Sequence, residues 1–270
     1  MSNRISNAFA DERGNPKKAL VAFLTGGDPD IATTERLIPA MAAAGADVIE
    51  IGIPFSDPIA EGIVIQSADE RALAAGCTAD ALFEMVARLR GSVAVPLLFM
   101  TYVNPVFTYG KQRFMRRCAE CGIDGVIAPD VPFEEKAELA ADCAASGITL
   151  ISMIAPTSAG RVATIAREAE GFLYCVSSLG VTGMRSEISS DVAALIRAAK
   201  QVTAIPCAVG FGISTPGQAR DMAAISDGVI VGSAIVNIIA RHGRDSVEPV
   251  SRFIGELKSA MLEARGLEAR

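Results

Sequence analysis

Asp47-Val48-Ile49-Glu50-Ile51-Gly52-Ile53-Pro54 is the stretch on which the reading of this chain turns. Val48–Ile53 is short, rich in β-branched residues and almost continuously apolar. A strand with one wet face would alternate apolar and polar side chains. This run does not, so it reads as a strand buried on both faces, as parallel strands covered by helices are. A single carboxylate, Glu50, interrupts it. The segment that follows, Pro54-Phe55-Ser56-Asp57-Pro58-Ile59-Ala60-Glu61-Gly62, has the prolines, the Ser-Asp pair and the glycine of a loop.

Outward from this stretch the same grammar recurs. Apolar runs at Ala19–Leu24, Pro96–Met100, Gly125–Ala128, Thr149–Ile154, Phe172–Val176, Ile205–Val209 and Gly228–Val231 predict further strands, each followed by a loop and a helical pattern. In Thr78–Arg90, Leu82, Met85, Val86 and Leu89 share one helical face. Phe133–Ser146 begins with acidic residues and meets Gly147, which suits the position after a helix end. Another helix is expected from Ser190-Asp191, with Val192, Leu195 and Ile196 on one face. Ile31–Ala44 reads as a helix with Pro39 inside it, which predicts a kink or a late start.

About eight strand–helix alternations mean parallel strands with crossover helices, closed as a barrel or open as a doubly wound sheet. No Gly-x-Gly-x-x-Gly follows the first strand; glycine-rich segments follow the last ones, where a barrel places its phosphate site. The expected fold is α/β, a (β/α)8 TIM barrel forming a single domain over residues 1–270. An extra N-terminal helix, Ser2–Glu12, would plug the barrel bottom, and Ser246–Arg265 would be the closing helix.

A chain of 270 residues, 50% hydrophobic, can bury a large core without disulfides. Its net charge of -6 and the lack of a basic patch argue against a nucleic-acid partner. Met115-Arg116-Arg117 reads as one solvated helix face. The six cysteines are scattered in apolar contexts. Cys118 and Cys121 form a C-x-x-C at the end of a helix, whereas a redox pair would open one and a zinc site would need a second ligand pair. With His242 the lone histidine, no metal is expected. The first residues lack the apolar region of a signal peptide, and no stretch reaches the ~20 apolar residues of a membrane span, so a cytoplasmic protein is expected.

Barrels carry catalytic groups at the C-terminal ends of their strands. Glu50 is the outstanding candidate. An unpaired carboxylate inside an apolar strand is costly. Its structural explanation would be a salt bridge within the barrel, but no Lys or Arg lies close in sequence. A desolvated carboxyl has a raised pKa and can move a proton near neutrality. Asp57 and Glu61 stand above the same mouth, either as a solvated acidic turn or as a second carboxylate facing the first. Gly180-Val181-Thr182-Gly183, Gly210-Phe211-Gly212-Ile213-Ser214 and Gly232-Ser233-Ala234 follow the last three strands. Glycines allow close backbone approach, and helix-start N–H groups bind anions, so a small phosphorylated substrate is expected.

Ile49-Glu50-Ile51-Gly52-Ile53-Pro54-Phe55-Ser56-Asp57-Pro58 resembles the most diagnostic stretch of tryptophan synthase alpha chains. Phe23-Leu24-Thr25-Gly26-Gly27-Asp28-Pro29, Ala128-Pro129-Asp130-Val131-Pro132, Gly180-Val181-Thr182-Gly183, Gly210-Phe211-Gly212 and Gly232-Ser233-Ala234-Ile235-Val236 are similar to that family in order and spacing, from about residue 5 to residue 260.

The resemblance implies a carbon–carbon lyase of tryptophan biosynthesis that splits indole-3-glycerol phosphate into indole and glyceraldehyde 3-phosphate by a retro-aldol reaction. It implies Glu50 as main acid–base residue and Glu61 as second catalytic carboxylate. It places Phe23, Tyr102 and Tyr174 near the indole pocket, has Thr182 coupling loop 179–188 to the loop carboxylate, and puts Gly183, Gly212, Gly232 and Ser233 around the phosphate. Loops 54–62 and 179–188 would close over the substrate. Asp57 and Pro58 would meet a beta chain in a heterotetramer of two alpha and two beta chains. No cofactor is implied for this chain; pyridoxal phosphate would belong to the beta chain.

One departure stands out. The family's second carboxylate is usually Asp followed by Gly-Pro, and here the sequence is Glu61-Gly62-Ile63. That departure motivates another reading, a catalytically weakened alpha-like chain acting mainly as an allosteric activator of a beta chain. A stand-alone lyase releasing free indole, and a different phosphate-binding barrel such as a sugar-phosphate isomerase, are further readings; the Glu50 and loop motifs disfavour the isomerase.

Overall fold

The computed structural model describes residues 4–156, 160–176, 185–210 and 212–268. The strands are β1 (Ala19–Thr25), β2 (Val48–Gly52), β3 (Leu97–Met100), β4 (Gly125–Ile127), β5 (Thr149–Leu150), β6 (Ser152–Ile154), β7 (Leu173–Val176), β8 (Cys207–Gly210) and β9 (Gly228–Val231). The helices are α1 (Arg4–Ala8), α2 (Ile31–Ala43), α3 (Ile63–Ala74), α4 (Ala79–Leu89), α5 (Val103–Tyr109), α6 (Lys111–Cys121), α7 (Ala137–Ala145), α8 (Val162–Arg167), α9 (Arg185–Lys200), α10 (Pro216–Ile225), α11 (Ser233–His242) and α12 (Val247–Glu268). No described helix is long and apolar enough to cross a membrane.

All strand pairs are parallel, in the order β5-β4-β3-β2-β1-β9-β8-β7-β6. The expected run Thr149–Ile154 is two strands, so nine are present where eight were expected. β5 pairs with β4, Ile151 donates to the Val126 carbonyl at 3.0 Å, and β6 then pairs with β7. Strands in a closed barrel tilt and stagger, so one run can serve a different neighbour with each half. The ring closes through the chain itself at Ile151.

Every residue of β1 and β2 is buried, because each strand has a core on both sides. One set of alternate side chains, including Val21, Val48, Leu98, Ile127, Ile151, Phe172, Ala208 and Ile230, fills the barrel. The other set, including Leu20, Leu24, Ile49, Ile51, Leu97 and Phe99, packs under the helices. From below, Ile5 and Phe9 enter the barrel. Glycines at the strand feet make room for them: a Cβ on Gly125 would lie 3.2 Å from the Ile5 side chain, and one on Gly228 only 2.9 Å from the Phe9 ring. The plugging helix is shorter than expected. It spans Arg4–Ala8, and the chain then bends into a short antiparallel bridge between Ala10 and Pro16.

Other boundaries shift for local reasons. α2 starts at Ile31, where the Asp30 carboxylate accepts the Thr33 N–H at 2.7 Å, so Pro39 causes no late start. Interior proline costs ~3 kcal/mol, but burying Leu37, Ile38 and Met41 at ~1.5–3 kcal/mol each outweighs it. Phe133–Glu135 is a 3-10 turn and only Ala137–Ala145 is α-helical. The helix expected from Ser190 begins at Arg185. Met115 is buried while Arg116 and Arg117 face outward, so that run is not one solvated face. Cys118 and Cys121 are buried free thiols, and no metal-holding cluster is found among the described residues.

The strand feet share one device. Asp47, Asp124 and Asp227 each stand immediately before a strand. Their backbone N–H groups donate to the carbonyls of Leu20, Leu97 and Cys207 at 2.8, 2.9 and 2.9 Å. Their carboxylates accept the N–H groups of those same residues at 2.7, 2.9 and 2.8 Å. Each aspartate thus clips its strand to a neighbour twice. Cations complete the clips: Lys17 and Lys258 at Asp47, Arg4 and Arg90 at Asp124, Lys200 at Asp227. Lys258 comes from α12 and also donates to the Lys18 carbonyl at 3.1 Å, so the Asp47 clip ties the closing helix to the first two strands. Removing that carboxylate strands a charge-assisted hydrogen bond and two ammonium groups, and Asp47→Ala is expected to lower unfolding free energy by about 2–4 kcal/mol. Urea denaturation followed by circular dichroism measures this, and a midpoint equal to that of the parent would show that the clip is not stabilising.

Candidate active site

A cavity of about 550 Å³ opens where the strands end, lined by Phe23, Met100, Ala128, Met153, Tyr174 and Ile230 among others. Apart from Ala128, which follows β4, these come from alternate, inward-facing positions of the strands, so the cavity is the unfilled top of the barrel interior. Its other wall is glycine-rich. Gly210, Gly212, Gly232 and Ser233 follow β8 and β9. Gly212 has φ +52°, in the left-handed region that favours glycine, and a Cβ there would meet no atom within 4 Å. Ser233 opens the ten-residue helix α11, whose first N–H groups have no partner within the helix and are suited to an anion. Gly210 lies against Tyr174, 3.1 Å from its ring if a Cβ were present. Thr182 and Gly183 lie outside the described residues.

Glu50 is in register with Phe23 of β1 and Leu98 of β3, which directs it into the barrel just under the cavity. It is 0% exposed. Neither carboxyl oxygen has a hydrogen-bond partner among the described residues, so the salt bridge that would make it structural is not found there. Burial alone pushes its carboxyl up to about 8. Tyr174 is close by: burial first, then the Glu50 charge, drives its hydroxyl well above the usual tyrosine range.

The second carboxylate faces the cavity from the loop after β2. Burial raises the Glu61 pKa against the opposing pull of a hydrogen bond donated by the Tyr102 hydroxyl, and the Asp130 charge adds to the rise. Tyr102 is buried and is not a lining residue; it works on the loop instead. Its oxygen accepts the N–H groups of Ile59 at 2.9 Å and Ala60 at 2.7 Å, and its ring packs on Phe55 with centroids 5.3 Å apart. Asp130 in turn accepts the Val103 N–H at 3.1 Å, at the start of the helix after Tyr102. Asp57 and Pro58 sit on the outer side of the loop. Asp57 borders an open hollow with Phe55, Asp80, Asn104 and Arg113, and accepts the Ser56 hydroxyl at 2.6 Å. Ile59 and Ile63 nearby are 82% and 74% exposed.

Two acidic residues near the site had no role assigned from sequence: Asp69 was not singled out, and Asp130 stood only as part of a motif. Asp69 lies on the buried face of α3, with its carboxyl pushed up to about 7 by burial and then by Glu61. Asp130 acts on Glu61 from the loop after β4. The signal for Asp69 was an acid between Ala68 and Ala72 on an inward helix face, visible only once Ile63–Ala74 is read as a helix. The apolar lining residues Met100, Met153 and Ile230 gave no signal, because their pattern is that of any barrel strand.

A family model described as tryptophan synthase alpha chain matches residues 9–264. The tryptophan synthase alpha chain of Citrifermentans bemidjiense is 45% identical over 263 residues, 97% of this chain and 98% of the relative. That of Alkaliphilus metalliredigens is 46% identical over 259 residues, covering 95% and 97%. Among solved structures, tryptophan synthase subunit alpha from Legionella pneumophila superposes with a TM-score of 0.88 at 35% identity, covering 97% of this chain and 100% of that one. A chain of tryptophan synthase from M. tuberculosis does so with a TM-score of 0.85 at 31% identity, covering 97% and 99%. Matched end to end in sequence and barrel, the chain belongs to the tryptophan synthase alpha chain family.

Proposed function

We propose that this chain cleaves indole-3-glycerol phosphate to indole and glyceraldehyde 3-phosphate, and does so on a beta chain that holds pyridoxal phosphate. The observation that carries the reaction is Glu50: a fully buried carboxyl without a partner among the described residues, under a cavity whose far wall is built of glycines. The reaction moves one proton from the side-chain hydroxyl to ring C3 while the bond between those carbons breaks into the ring, so it balances without a cofactor in this chain. With its pKa at about 8, Glu50 is largely protonated near neutrality. It gives that proton to C3, and the resulting carboxylate takes the hydroxyl proton as the aldehyde forms. Glu61 accepts the ring N–H and offsets the positive charge that C3 protonation creates. Gly212, Gly232 and Ser233, with Thr182 and Gly183, hold the phosphate. The exposed Ile59 and Ile63 beside Asp57 and Pro58 support a partner surface on the outer side of the same loop. A cleavage assay with and without a beta chain tests the whole reading, and no cleavage in either case would overturn it.

Glu50→Gln is expected to lower kcat by ~10²–10⁴, as loss of an acid–base group does. It is also expected to change the pH dependence of stability. The folded-state pKa lies above the ordinary 4.5, so folding favours the protonated form, and wild-type stability falls as pH rises from about 4.5 to about 8. Gln does not titrate, so the variant gains on the parent through that window. Urea unfolding at pH 5, 7 and 8.5 measures the gap, and a constant gap would show that Glu50 is not held protonated.

Glu61→Ala is expected to lose most cleavage activity. Glu61→Asp should lose less but still fall below the parent, because this loop is set for a side chain ~1.3 Å longer and ~1 Å of misplacement can cost 10²-fold. Steady-state kcat checks both, and full activity of the Ala variant would reduce Glu61 to a solvated loop charge.

Gly212→Val fills the open space at a left-handed position. KM for the phosphorylated substrate is expected to rise ~10-fold or more, about 1.4 kcal/mol of lost phosphate binding, with affinity for indole unchanged. An unchanged KM would place the phosphate elsewhere.

A further inference from the structure

Helix α3 begins just after Glu61, and one of its side chains reaches back to that residue. Gln66, half-buried in the first turn, donates from Nε2 to the Glu61 carbonyl at 2.8 Å. The junction itself is not stiff. Gly62, the residue before the helix, offers no side-chain cap, and a Cβ built on it would meet no atom within 4 Å. Glycine has the widest choice of backbone angles. Ile63 follows, so no proline ring fixes the first helical φ.

The helix that carries Gln66 is firmly fastened. Arg71, farther along α3, donates to both carboxylate oxygens of Asp28 at 2.8 Å, and Asp28 is fully buried just beyond β1. Ala68 packs in one cluster with Phe23 of β1 and Val236 of α11. Beyond the helix, the Cys77 thiol donates to the Gly26 carbonyl at 3.3 Å. α3 is thus a platform tied to the end of β1. The opposite hold on the loop comes from beyond β3, where Tyr102 accepts the Ile59 and Ala60 N–H groups and donates to the Glu61 carboxylate. Glu61 is gripped from two walls: its side chain by Tyr102, its carbonyl by Gln66.

We propose that Gln66 is a positioning residue for Glu61, fixing the backbone from which that carboxylate reaches the cavity. A side-chain amide suits the task, because it donates to a carbonyl without bringing a charge beside a carboxylate. Two tethers on one residue define where its carboxylate points. With the tyrosine alone, Glu61 pivots about the hydroxyl on the free angles of Gly62, and a displacement of ~1 Å can cost 10²-fold in rate.

The inference rests on the proposed cleavage reaction, with Glu61 as its second carboxylate. Gln66→Met keeps the length and helix propensity of the side chain and removes the donor. For the full chain with its beta chain, kcat for cleavage is expected to fall ~10-fold with KM within about twofold, because the phosphate is held on the glycine-rich wall. Gln66→Ala, which also lacks the donor, is expected to behave alike. In a Glu61→Ala background Gln66→Met is expected to change kcat by less than about twofold, since nothing is left for it to position. Parental kcat in Gln66→Met, or the same fold loss in both backgrounds, overturns the proposal.

A second measurement does not use the reaction. A glutamate-specific protease that cuts between Glu61 and Gly62 must take hold of the Glu61 carbonyl, which Gln66 occupies. Cutting of the full chain at that bond, followed by mass spectrometry, is expected to be ~5–10-fold faster in Gln66→Met than in the parent, with other sites cut at parental rates. Equal rates at that bond overturn the proposal, and so does equal acceleration at every site, which marks a general loss of stability. A parent that releases no indole with or without a beta chain refutes the reaction instead, and the protease then decides on the Gln66 hold alone.

Discussion

A carboxyl group with no partner among the described residues, placed where a barrel would normally put a branched hydrocarbon, is the constraint around which this structure is arranged. Glu50 opposes folding above about pH 4.5, because water would hold its ionised form and the barrel does not. Such a residue persists only where its surroundings are strongly determined. Here they are: β2 is buried along its whole length, Phe23 and Leu98 flank the position in register, and the strand foot beneath it is clipped by Asp47 to β1 and α12. Stability at the bottom of the barrel offsets the cost of the buried carboxyl at the top.

The loop above Glu50 is governed by the opposite arrangement. Glu61 takes the Tyr102 hydroxyl, Asp130 accepts the N–H of the next residue, Val103, and Asp69 lies buried on the inward face of α3. Tyr102 serves as a mould: it receives two loop N–H groups and directs its own proton to Glu61. A short Asp could not make that contact from the same backbone. The longer Glu61 and the absence of proline at Ile63 are therefore matched features of one loop, anchored by side chains rather than by a stiff backbone.

Much of this was legible in the sequence. Continuous apolar runs identified the buried strands, and Glu50 stood out because a lone acid in such a run contradicts its surroundings. The glycines after the last strands marked the far wall of the cavity. What the sequence hid has physical causes. The break at Ile151 depends on barrel tilt, which no local pattern encodes. The hold of Tyr102 on the loop could not be read, since a hydroxyl's partner is set by tertiary geometry. Asp69 sits in a helix of weak amphipathicity whose small inward residues, Ala68 and Ala72, look like surface filler. The strand-foot aspartates were invisible as a set because each reads alone as an ordinary turn residue.

The split at Ile151 fixes a reading frame. Thr149 and Leu150 take their register from β4, while Ser152, Met153 and Ile154 take theirs from β7, and Ile151 alone joins the two. Side chains alternate with a period of two. Loss or gain of one residue in this hexapeptide would leave both flanking pairings intact in principle yet exchange inside for outside on one half, turning Met153 from the barrel interior to the helices. A change of length by one residue here therefore rewires the barrel interior, whereas the same change in a loop above the strands leaves every strand's inside and outside as they are.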